Sequence, residues 1–474
     1  MTSTPRRALL ALAAAALAAS AGAAPDAASS DFKPLRAVVV PEVAPGFYVT
    51  QCSAPLDMPV GDAIKIGGLA IPAQVGEQGE LKLDLRASGS LSTYRSDQAV
   101  ALTLQHEGST RAFQVRLLLR KRTDGTWTYR NVTQLAVRVE DDQFVIVDAN
   151  GNGLYNEPGV DAMGLRGCTV VFPLPGPEER WCTTKREFTG LSLGPWGEDL
   201  KATGRPLATK HASGLPVLQG VIEERLKLGL TPRPEDPKLS DDLQKHCAYM
   251  SSNDTLAHPE EKGKPGYSPE GHEAGMRSIL SAGTPAERVA LGMVNTYFHR
   301  IDVIRPDTLL FGVGYSVKYG GIDGRSGMDK SPRQTLWPVL CPAPGQTDVS
   351  LAYGKEAPDA TPGDPAAGYP ITVQFHTGKL KLTGHALRLA PPPGTPARPA
   401  AKADPGIPCY PFDPETGASN GMTGFLHCVC LIPKDPLQAG TEYEVTMEVD
   451  VEGKPWSRTW RFTTGSGGEG RRRR

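Results

Sequence analysis

The sequence predicts a multidomain α+β protein: a β-rich region, then a helical region, then a second β-rich region. Three observations lead there. At 474 residues the chain is too long for one hydrophobic core, since domains run to about 100–200 residues. Segments that alternate polar and apolar residues at strand length lie toward its two ends, and segments with helical spacing lie between them. Its 52 glycines and 43 prolines punctuate these segments as loop-rich β-proteins require and helical bundles do not. Charge is balanced, with 51 Lys and Arg against 52 Asp and Glu, which argues against nucleic-acid or membrane-surface binding through bulk electrostatics.

Residues 1–23 read as a signal peptide. Arg6 and Arg7 form the basic start, Leu9–Ala19 the apolar run, and Ala21-Gly22-Ala23 the small-residue cleavage site. That run falls short of the ~20 residues a membrane span needs. The expectation is an exported protein (extracellular, periplasmic or on the cell surface) whose mature chain has no transmembrane segment. Residues 24–46, rich in Ala and Ser, read as a flexible leader. Residues 47–188 read as an all-β module, a sandwich built from runs such as AVALTLQH, AFQVRLLLRKR and LAVRVEDD.

Within that module, Asp148, Asn150 and Asn152 place side-chain oxygens at alternate positions, and Gly153 supplies the bend. Such a pattern wraps a hard cation, and Asn156, Glu157 and Asp161 complete a candidate Ca²⁺ set. Gly159 stands where an EF-type loop needs its bidentate Glu, so Glu157 or Asp161 would have to serve instead. The alternative is a turn in which Asx side chains cap their own backbone.

Residues 189–214 read as a linker. In 215–341, Val217–Gly229 has helical spacing and a terminating glycine, Ser240 is the expected cap of a second helix, and Thr284-Pro285 opens a further one. Residues 342–368, rich in Pro, Gly and Ala, read as a second linker. Residues 369–464 alternate again as strands, and 465–474 end in a basic tail.

Eight cysteines, in a chain read as exported, favour disulfides. Cys168 and Cys182 flank a Pro/Gly turn and suggest a local bridge. Cys428 and Cys430 sit too close in sequence to bond each other easily, which leaves Cys409 as a partner for one of them. The C-x-C spacing does not match a zinc pair.

From Glu224 to Tyr315 the chain reads ERLKLGLTP, DPKLSDDLQKHCAYMSSNDTLAH, GYSPEGHEAG and YFHRIDVIRPDTLLFGVGY. This order resembles the CAP superfamily (cysteine-rich secretory, antigen 5 and pathogenesis-related proteins) in its bacterial secreted branch. The resemblance implies an α-β-α sandwich over 215–341, with a cleft lined by two histidines and two acids that can hold a divalent metal. His258 matches the first cleft histidine, Glu270 or Glu273 takes the place of the acid, and His299, followed by Arg300, matches the second histidine. His246 and His272 are additional. The C-terminal phrase PLQAGTEYEV, followed by WRFTT, resembles the last strands of bacterial immunoglobulin-like domains, which implies a second β-sandwich over 369–464.

The function so implied is binding of a small, lipid-like or cell-envelope ligand in the cleft. A metal-assisted hydrolase acting on peptides or envelope polymers, and a structural surface protein, are the alternatives. No HExxH occurs, and Ser326 lies in a Gly-rich loop rather than after an apolar strand, so the residues favour binding over catalysis.

Overall fold

The computed structural model describes residues 32–43, 49–50, 57–86, 88–105, 112–122, 124–168, 170–330, 337–391, 406–417 and 427–467. The expected signal peptide, residues 24–31 and 44–46 of the stretch read as a leader, Cys52 and the arginines of the tail lie outside them, while the rest of that stretch carries strands Lys33–Pro34 and Ala37–Val43. Strand makes up 40% of the chain and helix 14%, in several separate sheets, so the protein is β-rich and multidomain.

Polar–apolar alternation builds the first region. Strand Ala112–Lys121 buries Phe113, Val115, Leu117 and Leu119 on one face and pairs antiparallel with Gln98–Gln105, which buries Val100, Leu102 and Leu104. Each such side chain contributes about 1.5–3 kcal/mol on burial. A six-stranded sheet has the order Ala37–Val43, Thr133–Val139, Asp142–Val147, Ala162–Leu165, Val170–Pro173 and Val49–Thr50. Trp181 stacks on Phe188 at 4.3 Å, and Phe113 on Trp196 at 5.4 Å, within the same core. The segment read as a linker, 189–214, carries part of strand Arg186–Ser192 and all of Lys201–Pro206, and buries Leu191, Trp196 and Ala202 there.

The helical region holds five helices among the described residues: α1 (Leu215–Lys227), α2 (Pro237–Ser252), α3 (Pro269–Arg277), α4 (Val289–Val294) and α5 (Arg300–Ile304). Gly229, at φ +66, ends α1 in the left-handed conformation, and Leu230 N–H bonds back to Arg225 O. The cap of α2 is Asp236, which accepts from Lys238 and Leu239 N–H. Ser240 lies inside the helix, and its Oγ accepts instead from Val313 N–H at 2.9 Å. After Thr284-Pro285 the chain makes a 3₁₀ turn, Ala286–Arg288, before α4.

Strands Ile279–Ala282, Tyr319–Asp323 and Gly312–Ser316 form an antiparallel sheet in that order. Helix α2 lies close against one face, where a Cβ at Gly314 or Gly321 would collide with Leu243 or the α2 backbone. Val289 of α4 meets Gly320 from the other face.

In the last region, strands Val339–Cys341, Ile371–Gln374, Cys428–Pro433 and Cys409–Phe412 form one sheet, and Leu380–Leu389, Glu442–Val451 and Lys454–Thr463 another. Their apolar faces share a core with α1 and α4. The stretch 342–368 buries Val349, Tyr353, Ala360 and Ala367.

The disulfide expectations are corrected: the seven described cysteines are unbridged. Cys168 is exposed whereas Cys182 is fully buried in another sheet. Cys409 is paired with Pro433 in register, while Cys430 faces Phe412, so strand register keeps their thiols apart. Burial, with Lys434 opposing, raises the Cys409 thiol to about 12.

Candidate functional site

Two glycines one turn apart position the densest group of titratable side chains. Gly271 and Gly275 sit on the buried face of α3, where a Cβ would run into the Glu260 carboxylate or the His246 ring. The close approach lets α2 and the 257–260 loop interlock with α3. His246, on α2, and Glu260 both have fully buried side chains. His246 Nε2 lies 3.0 Å from Ala257 O, which can only accept, so that nitrogen carries a proton. Its Nδ1 lies 3.0 Å from Glu260 Oε1, and the proton between them belongs to a pair that is neutral overall in either form. Burial is the largest influence on His246 and lowers it below the usual histidine range, against the pull of Glu260. The second Glu260 oxygen accepts from Ser268 N–H, and Glu260 N–H donates to His272 Nδ1 at 3.0 Å.

His258 stands at the rim of this group. Its Nδ1 donates to Gly275 O at 2.8 Å, which fixes the tautomer and leaves Nε2 with its lone pair in an exposed position. Leu256, at 52% exposure, precedes it in the same loop, and Met276, at 54%, follows the glycine it bonds. An open nitrogen base therefore stands beside uncovered apolar surface. Glu270 and Glu273 occupy the exposed side of α3, while the buried acid of the group is Glu260. Sequence reading passed over Glu260 because the glycine-rich 261–266 stretch reads as loop. The i, i+4 glycine pair within P-E-G-H-E-A-G was the available signal for a closely packed helix face.

His299 has a different setting. Its Nδ1 lies 2.8 Å from Glu356 Oε2. The Glu356 carboxylate also accepts from the backbone N–H groups of Tyr297, Phe298 and His299 and from Tyr353 Oη. Burial drives this carboxyl up, but His299 and those N–H donors outweigh it, and the net direction is down. His258 and His299 are thus each bonded to a separate partner, on α3 and in the 342–368 stretch respectively. Among the described residues, no group of three or more His, Cys, Asp or Glu is arranged to hold a metal ion. A groove of about 800 Å³, lined among others by Lys33, Arg186, Lys210 and Glu235, has none of the sequence-predicted site residues in its lining.

The 148–161 loop is self-capped. Asp148 accepts from Asn131 Nδ2 and from Asn152 and Gly153 N–H, while Asp161 accepts from Ala149 and Glu157 N–H. Asn150 and Asn152 turn their amide groups to Glu157 Oε2. Burial raises Asp148 to about 6 and Asp161 to about 8, and no positive charge is among the main influences on either.

The chain matches no family model and no curated protein. Among solved structures it is similar to an extracellular protein containing an SCP domain from Bacillus anthracis str. Ames, at 12% identity and a TM-score of 0.20, over 44% of this chain and 84% of that one. A TM-score that low does not establish a shared fold. Among the described residues no helix is long and apolar enough to cross a membrane.

Proposed function

We propose that this is an exported binding protein whose helical region is CAP-like and whose ligand meets the His258 end of the α2–α3 group. The observation that carries the reading is the rim itself. A buried His246–Glu260 pair anchors a loop that carries the exposed Leu256 and His258, and His258 bonds Gly275 next to the exposed Met276. Helices on both faces of a three-stranded antiparallel sheet support the CAP-like reading. A ligand with an apolar body and one hydrogen-bond donor fits this rim, because Nε2 accepts and the side chains on either side exclude water. The test is fluorescence titration with cis-parinaryl alcohol, whose hydroxyl and chain supply both features. Leu256→Ser/Met276→Ser is expected to weaken binding about tenfold or more, in line with the loss of about 1.5–3 kcal/mol per buried apolar side chain, and His258→Ala to weaken it further. Equal affinity in all three proteins would refute the reading.

We also propose that the 148–161 loop takes Ca²⁺ as a structural ion. Two buried carboxylates that form no ion pair among the described residues support this, since a divalent cation would offset the charge that burial disfavours.

A further inference from the structure

We propose that Arg300 forms a buried binding site for a small monovalent anion, of which chloride is the simplest, between α5 and the sheet of the last region. Arg300 is fully buried at the start of α5. Its guanidinium stays charged at any physiological pH. Nη1 donates to Pro370 O at 2.6 Å and to Thr372 Oγ1 at 3.2 Å, but Nε and Nη2 have no partner among the described residues. Among the described residues no carboxylate bonds it, and the largest electrostatic influences on it after burial come from the Cys341 thiol and the Tyr369 phenol, whose ring lies 4.7 Å from the guanidinium carbon, and then from the thiols of Cys430 and Cys428.

Strand register supplies the rest of the site. Gln374 lies two residues beyond Thr372 on one strand, so both side chains leave the same face of the sheet. Opposite them on the neighbouring strand stand Cys430 and Cys428. Gln374 is also fully buried, and among the described residues neither its amide nitrogen nor its amide oxygen has a partner. A buried polar group left unbonded is costly, and a buried charge left uncompensated more so. The protein interior therefore holds a buried guanidinium with two unpartnered nitrogens, bonded through Nη1 to the strand that carries the unpartnered Gln374 amide. An anion accepting from Arg300 and Gln374 answers the charge and three of the four unpartnered atoms together. The thiols give the site soft, weakly polar walls that suit a halide.

The test uses the full chain. Thermal melting is followed at constant ionic strength while gluconate is exchanged for chloride or bromide, and bromide-soaked crystals are measured at the bromine absorption edge. The expected result is a melting midpoint that rises with the logarithm of halide concentration, together with an anomalous peak within hydrogen-bond reach of Arg300 Nε. Gln374→Leu, which leaves the Nη1 bonds of Arg300 intact, is expected to lose most of that rise. Halide-independent melting, or water alone at Nε and Nη2, would overturn the proposal. So would a rise that survives unchanged in Gln374→Leu, because the halide would then bind elsewhere. Thiolate absorbance near neutral pH that disappears in Cys428→Ser or Cys430→Ser would also overturn it, by showing that a cysteine supplies the negative charge.

Discussion

Glu356 shows how much one side chain holds in place here. One carboxylate gathers three consecutive backbone N–H groups, a tyrosine hydroxyl and the His299 ring at the start of α5. Removing it leaves those donors buried, and breaking a buried pair from one side costs about 3–5 kcal/mol. Glu356→Ala is accordingly expected to lower the urea-unfolding free energy by that amount. Its carboxyl is depressed in the folded state, so its stabilisation is present above the unfolded value of 4.5 and is lost as pH falls below that value toward the folded one. Acid titration of Glu356→Gln should lack this part of the wild-type loss below about pH 4.5. The thiols make a second prediction at this scale. Denatured without reductant, the chain is expected to show at least the seven reactive thiols that the fold leaves unbridged. A count near zero would show that the register separating Cys409 from Cys428 and Cys430 is not the one adopted.

Two elements respond to different perturbations. In α3 the limit is space. Gly275→Ala drives a methyl group into the His246 ring and the His258 carbonyl, and overpacking of this kind costs about 1–3 kcal/mol. It is expected to disturb His258 and cis-parinaryl alcohol binding together, whereas Gly292→Ala, in open space on α4, should leave both unchanged. In the 148–161 loop the limit is charge. Asp148 and Asp161 are raised in the folded state, so their protonated forms favour folding. That contribution is complete below the ordinary value of 3.8 and is lost as pH rises through about 6 and then about 8. Without Ca²⁺ the melting midpoint of the first β-rich region is expected to fall between about pH 5 and pH 9. With Ca²⁺ at a hundred times its dissociation constant the region should gain about 2.7 kcal/mol, and most at the alkaline end, where both carboxylates are ionised. Identical melting curves in Ca²⁺ and in chelator would make the loop an ordinary Asx turn.

Across the whole molecule, the helical region and the last β-rich region share one core. Val217 and Val221 of α1, Val289 of α4, and Val445 and Phe462 of the C-terminal strands belong to the same buried cluster. Arg300 and Glu356 add polar ties across the same boundary. A chain truncated after residue 341 would uncover that apolar surface and leave His299 without its carboxylate. It is expected to lose cooperative unfolding of the helical region, which tryptophan fluorescence during urea denaturation would report. An unchanged transition in the truncated protein would show that the two regions are energetically separate.

The sequence by itself determined the order of the regions and the β-rich character of both ends. Burial on one face of a strand imposes a period of two that survives in the residues, as in 98–105 and 112–121. It also determined where α1 stops, because a left-handed residue selects glycine, and it marked His258 and His299 as worth locating. Tertiary structure decided their partners. The buried acid beside His246 is Glu260, whereas Glu270 and Glu273 lie on the exposed side of α3, because α3 packs through two glycines. Glu356 joined His299 from 57 residues further on, out of a stretch whose Pro, Gly and Ala content reads as linker. Strand register kept Cys409 apart from Cys430 and set Thr372 and Gln374 opposite Cys430 and Cys428, and α5 brought Arg300 to Thr372. Periodicity records only which face is buried. Which polar groups meet there depends on contacts between residues far apart in the chain, and these leave no local pattern in the sequence.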